Sequence, residues 1–253
     1  MKSLTVARYQ IEDSRNSIRN YYIIFISIIA ILAFISIRLS DQAKLTSSGL
    51  EFATVIFLFV AGLNSFRTSF LFLQSNNVSR RTFFKGAIMG VMPIAFFMSI
   101  IDILINRIYN IFVKSPTNFD MFYGTLRDIT QGNDLYKWSA ANDIGTLFGT
   151  FVFQFAVYSM VFILGIFISV LYYRSNKITK VMISVVPAML LVFSYNIFQL
   201  FPISFWNAIG NFIGGASGWN SRNPYIGFLS FFMLSLILSG LSYLLIRRAV
   251  VKE

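Results

Sequence analysis

The chain has 253 residues, 56% of them hydrophobic and only 12% charged, with 29 Phe, no His and no Cys. A soluble domain carries about a quarter charged residues, so there is too little charge here to coat a water-facing surface, and a soluble globular protein is excluded. The net charge of +11 sits in short segments between apolar runs rather than on one polar domain, so no nucleic-acid partner is expected.

Six stretches reach the ~20 mostly apolar residues a spanning helix needs: 21–37, 52–73, 87–107, 146–173, 181–201 and 225–246. None alternates as a barrel strand does. The expected fold class is an all-α polytopic membrane protein. It has six transmembrane helices, an N-terminal amphipathic helix, and a re-entrant or interfacial hairpin before the last helix. Residues 1–20 form the first unit. On a helix, Leu4, Ala7, Ile11, Ile18 and Tyr22 share one narrow face and Arg8, Glu12, Arg15 and Arg19 a neighbouring one, as in a helix lying on the inner leaflet beside anionic headgroups. Residues 21–253 form the six-span domain.

Between the second and third spans, residues 75–86 read SNNVSRRTFFKG, a polar, basic stretch with turn formers and an N-cap before a helix start. After the third span, the outer loop 114–144 holds FDMFYGTLRDITQG, which predicts a short amphipathic helix with Phe119, Phe122, Tyr123, Leu126 and Ile129 on its apolar face. A kink is expected at Pro187 in the fifth span. Residues 202–224 are too apolar for a free loop and too broken by Gly and Pro to span. Non-helical backbone at membrane depth survives only where protein or water satisfies it, so an outer hairpin anchored by Phe205, Trp206, Phe212 and Trp219 is expected.

Orientation follows from Lys and Arg in short loops. Thirteen of the 21 basic residues fall on the side shared by the two termini, 75–86 and 174–180, while the opposite side is near neutral. Both termini are therefore expected in the cytoplasm and the three Trp on the outer side, the chain lying in a bacterial cytoplasmic membrane among its lipids.

The missing His and Cys remove the usual metal ligands, and no phosphate-binding loop is present, so the chain is expected to bind no metal or cofactor and to have no catalytic residue. The GASG at 215–218 resembles the serine of intramembrane proteases but lacks a base to activate it; the bland reading, a tight turn, is preferred. Polar residues within spans are functional candidates by default. Asn64 and Arg67, Asp102, Gln154, and Asn196 with Gln199 are the candidate pathway or dimer face. The competing reading is interhelical hydrogen bonding, worth on average ~0.6 kcal/mol each.

Taken together, the six spans, amphipathic N-terminal helix, short helix after the second span and hairpin before the sixth resemble the permease subunits of type-2 ABC exporters. NNVSRRTFFKG is similar to the x-G/N-x-S-R-x-x-F stretch of bacterial permeases of that kind, and the general character looks closest to Gram-positive exporters of amphipathic or antimicrobial peptides. The resemblance implies a coupling helix at 75–86. There Asn77, Val78, Ser79, Arg80 and Arg81 would contact a separate ABC ATPase, and Phe83 and Phe84 would root the helix in the membrane. It implies two ATPase copies holding ATP and Mg, a second permease chain, identical or not, and an amphipathic or hydrophobic cargo. The 31-residue loop 114–144 departs from the family, in which this connector is short. The alternative reading is a membrane immunity, sensor or scaffold protein that transports nothing.

Overall fold

The computed structural model describes residues 2–39, 47–124, 126 and 138–247. Among the described residues the secondary structure is helical, with no strand: α1 (Lys2–Leu39), α2 (Glu51–Ser75), α3 (Arg80–Tyr109), α4 (Asn118–Phe122), α5 (Ile144–Arg174), α6 (Lys177–Val192), α7 (Ser194–Leu200), α8 (Ile203–Ala216) and α9 (Pro224–Arg247). Five of these, α1, α2, α3, α5 and α9, are long and apolar enough to cross a membrane. The pair α6 and α7, bent by 77° at its break, is a broken span or a re-entrant loop.

Side-chain capping sets several helix starts. Ser79 accepts from Thr82 N at the head of α3, Asp143 from Thr146 N at α5, and Asn176 from Thr179 N at α6. Each satisfies a backbone donor that a helix start leaves orphaned. Asp143 is fully exposed, and its bonds to the Thr146 hydroxyl and backbone N–H hold its carboxyl below the usual range. Thr117 and Asp120 form a reciprocal capping box around α4.

Glycines fix how the long helices meet. A Cβ on Gly62 would run into the Phe162 carbonyl, and one on Gly165 into the Phe59 carbonyl. The α2 and α5 backbones therefore touch, the close approach that small residues allow where apolar surface alone gives no preference between neighbour and lipid. The pairs Glu51–Gln154, Gly62–Gly165 and Phe70–Tyr173 keep one offset, so α2 and α5 run parallel. Val6 lies on Gly86, Gln10 on Gly90 and Tyr22 on Asp102, so α1 runs parallel to α3. Contacts Phe153–Phe231 and Phe84–Tyr243 align α9 with α5. The ends carrying Arg80, Arg81, Arg174 and Arg247 thus coincide; this is the basic end of the bundle. Leu58, Phe66, Phe70, Val91, Met98, Phe162, Ile163 and Ile166 fill the core between α2, α3 and α5.

Several expectations change. Residues 1–20 are not a separate helix. No Gly or Pro interrupts the run into the apolar residues, and Lys2–Leu39 is one helix docked along α3. Residues 75–86 hold no separate short helix either. Asn76 and Asn77 (φ 57°) turn the chain, and α3 starts at Arg80 and runs unbroken to Tyr109. The fifth apolar stretch bends at Phe193, not at Pro187, which stays inside α6. Residues 203–216, expected to be irregular, are helical as α8. In the loop 114–144 the described residues hold the short helix Asn118–Phe122, Leu126 is helical and buried, Ile129 lies outside the described residues, and Trp138 is buried.

GASG makes a tight turn: Gly218 has φ 71°, and a Cβ there would strike the Asn223 carbonyl. Tyr123 donates to the Ser217 carbonyl from below α4. Burial pushes its phenol up to about 12, so it remains a donor.

Candidate functional site

Two linked polar regions lie inside the bundle. The first is a cleft between α1 and α2. These helices run antiparallel, Tyr21 meeting Thr54 and Tyr9 meeting Phe72, and they splay apart in between. The opening is a cavity of about 180 Å³ with Asp13, Ser14 and Ser17 on one wall, Asn64 and Ser65 on the other, and Ile94 and Phe162 at its floor. Asn64 lies 11 residues from the basic end of α2 at Ser75, about 16 Å at 1.5 Å per residue. That is near the middle of a ~30 Å hydrocarbon layer. A carboxylate and three hydroxyls at that depth can hold water, or the polar part of an amphipathic guest, while the floor takes its apolar part.

The second region is sealed. Asp102 on α3 accepts from Tyr22 of α1 at 2.9 Å and from Tyr158 of α5. The Tyr22 hydroxyl also lies 3.3 Å from the Met98 carbonyl. Glu51, the first residue of α2, accepts from Gln154 of α5 at 3.3 Å. All four of Glu51, Asp102, Gln154 and Tyr158 are at most 3% exposed. The Tyr21 hydroxyl and Thr54 Oγ1, 2.6 Å apart, stand between this cluster and the cleft. Above it, Asn106 and Asn110 hold the Ser115 carbonyl at 3.1 and 2.9 Å, and buried Thr117, Asn118 and Asp120 close the end.

The predicted pathway residues separate into three groups. Asp102 and Gln154 are drawn into the sealed cluster through Tyr158 and Glu51. Asn64 lines the cleft, and Arg67, one turn on, is exposed on α2. Asn196 and Gln199 are exposed on α7, away from both. Glu51, one residue ahead of the expected span 52–73, is not among the expected site residues; its place at the head of an apolar run, at the spacing that puts Thr54 on the same face, was the available signal. Asp13 is not among them either, because a separate surface helix over residues 1–20 would leave its carboxylate in water.

At the basic end, the turn 76–79 is held by the Gln74 amide, which donates to the Val78 carbonyl at 2.8 Å, and by the Ser79 cap. Asn77, Ser79 and Arg81 are exposed and Val78 half-buried. Arg80 donates to the Arg247 carbonyl at 3.1 Å, strapping the corner to the end of α9. Phe83 is buried in an aromatic cluster with Phe66 and Phe70, and Phe84 packs on Tyr243.

No family model, curated protein or solved structure matches the chain.

Proposed function

We propose that the chain is the membrane-spanning subunit of an ATP-driven exporter, paired with a second such chain and powered by two copies of a separate cytoplasmic ABC ATPase that binds ATP and Mg. The observation that carries this reading is the corner 76–81. It is polar, exposed, rigidly turned and tied by Arg80 to the last residue of α9, so a force applied there moves α2, α3 and α9 together. A second packing of the bundle, selected by a push at that corner, would carry the local displacement to the whole. In this reading the basic end is cytoplasmic, and the segment from α6 to the turn before α9 carries the chain back across the membrane, giving six crossings. The cargo is amphipathic or hydrophobic, because the α1–α2 cleft pairs a short polar wall with an apolar floor and Met and Phe surfaces adapt to varied apolar guests. The second chain covers the apolar surface of α6–α8.

The test is Arg81→Glu, chosen because Arg81 is exposed and the bonds that hold the corner among the described residues come from Gln74, Ser79 and Arg80. Native membranes should yield the wild-type chain with an ATPase attached and the variant without it, at unchanged thermal stability. A native assembly with no ATPase would favour the sensor, immunity or scaffold reading.

A further inference from the structure

Glu51 and Asp102 place two carboxylates against one small internal space. The cavity between them is about 10 Å³, lined by Phe25, Leu50, Glu51, Asp102, Ile105 and Asn106, room for a single water-sized body. Tyr21 and Tyr22 approach from α1, Asp120 from α4 and Tyr158 from α5; among the described residues the charged groups acting on the pair are acidic, with no Lys or Arg partner. Two uncompensated negative charges in the interior of a membrane bundle are costly.

The hydrogen bonding is unequal. Asp102 has a hydroxyl donor on each oxygen, from Tyr22 and Tyr158. Glu51 has Gln154 Nε2 on Oε1 and the backbone N–H groups of Glu51 and Asn118 near its carboxylate, but among the described residues Oε2 has no well-formed hydrogen bond, and neither have Gln154 Oε1 and Asn118 Oδ1. These are buried acceptors in residues no more than 7% exposed, and the Arg107 guanidinium, further along α3, is also buried without a hydrogen-bond partner among the described residues but does not act on Glu51 or Asp102. An orphaned buried acceptor costs its full desolvation penalty.

We propose that Glu51 and Asp102 share one exchangeable monovalent cation, a proton or a sodium ion, held between the carboxylates and the Gln154 amide. One positive charge halves the buried charge and supplies what Glu51 Oε2 lacks. A proton on that oxygen becomes a donor, and Gln154, already bonded to Glu51 through Nε2, offers its unpartnered Oε1 as an acceptor. No bond other than O–H forms, and the proton comes from water. A sodium ion would take the place of that single body and draw its oxygens from Glu51, Asp102 and Asn106; the same space leaves no room for the several waters that a divalent ion such as Mg keeps. Exchange with water runs through the Tyr21–Thr54 pair to the α1–α2 cleft. The proposal concerns only this chain and stands whether or not an ATPase docks at the basic corner.

The test is infrared difference spectroscopy of the full chain in nanodiscs, stepping pH in sodium-free buffer and then adding sodium at fixed pH. A protonated-carboxyl stretch that shifts in heavy water and disappears in Glu51→Gln identifies the proton. A stretch that sodium abolishes, with a rise in the thermal midpoint that Asp102→Asn removes, identifies sodium. Should either variant fail to fold, the wild-type response to heavy water and to sodium decides alone. A wild-type chain with no protonated-carboxyl band beyond those of its exposed acids, and no sodium-dependent shift in midpoint, overturns the proposal.

Discussion

The five-helix bundle and the segment 177–216 are equally apolar but packed in opposite ways. In the bundle, glycines bring backbones into contact, aromatic rings cluster at the basic end, and carboxylates and hydroxyls pair inside. In 177–216, α6 and α7 bury no residue and α8 buries only Gly214. Its order comes from neighbours in sequence, such as Trp206 stacked on Phe198 at 4.9 Å with its Nε1 on the Phe198 carbonyl. Apolar composition does not distinguish the two regions; small residues and polar pairs decide which one builds a core.

Matched substitutions sharpen that contrast. The largest difference is expected for Gly62→Leu against Gly210→Leu. The first forces the α2 and α5 backbones apart, at the upper end of overpacking costs of about 3 kcal/mol or beyond, and should leave little monodisperse protein after size-exclusion chromatography. The second meets nothing within 4 Å and should elute as wild type. Next is Phe83→Ala, which empties the ring cluster between α2, α3 and α5 and should cost about 3–5 kcal/mol in thermal or denaturant unfolding. Phe212→Ala, at a side chain 77% exposed, should be near neutral in the isolated chain; a large cost in the native assembly would locate a partner on α8. The smallest of the large effects is Tyr158→Phe, which strips one donor from buried Asp102 and should cost about 1–3 kcal/mol, whereas Tyr195→Phe on exposed α7 should leave the unfolding midpoint in place.

The helical, membrane-spanning class was legible because runs of apolar residues without alternation leave no other solution in lipid. The spans of α2, α3, α5 and α9 were legible for the same reason, and Asp102 and Gln154 were visible as polar residues within spans. Three features were not. The continuity of α1 depends on docking along α3, which helical periodicity in residues 1–20 cannot report. The bend at Phe193 has no Gly or Pro at the break, while Pro187, the expected kink, is accommodated inside α6. Glu51 looked like a loop carboxylate because a helix start is polar by default; only its neighbours Gln154 and Asp102, 103 and 51 residues away in sequence, make it an interior group.

The register of α1 carries a last consequence. Tyr22 stands level with Asp102, so Ile31, Phe34, Ile35 and Ile37, all exposed, climb past the end of α3 at Tyr109 by up to roughly 12 Å at 1.5 Å per residue. On the same flank, Arg15 and Arg19 sit beside Pro93–Ile101, level with greasy neighbours. Acyl chains hugging this side meet their oily collar higher than on the opposite side, so the surrounding leaflets must slope. A sloped annulus costs fractions of a kcal/mol per ångström and would make the molecule sensitive to lipid length.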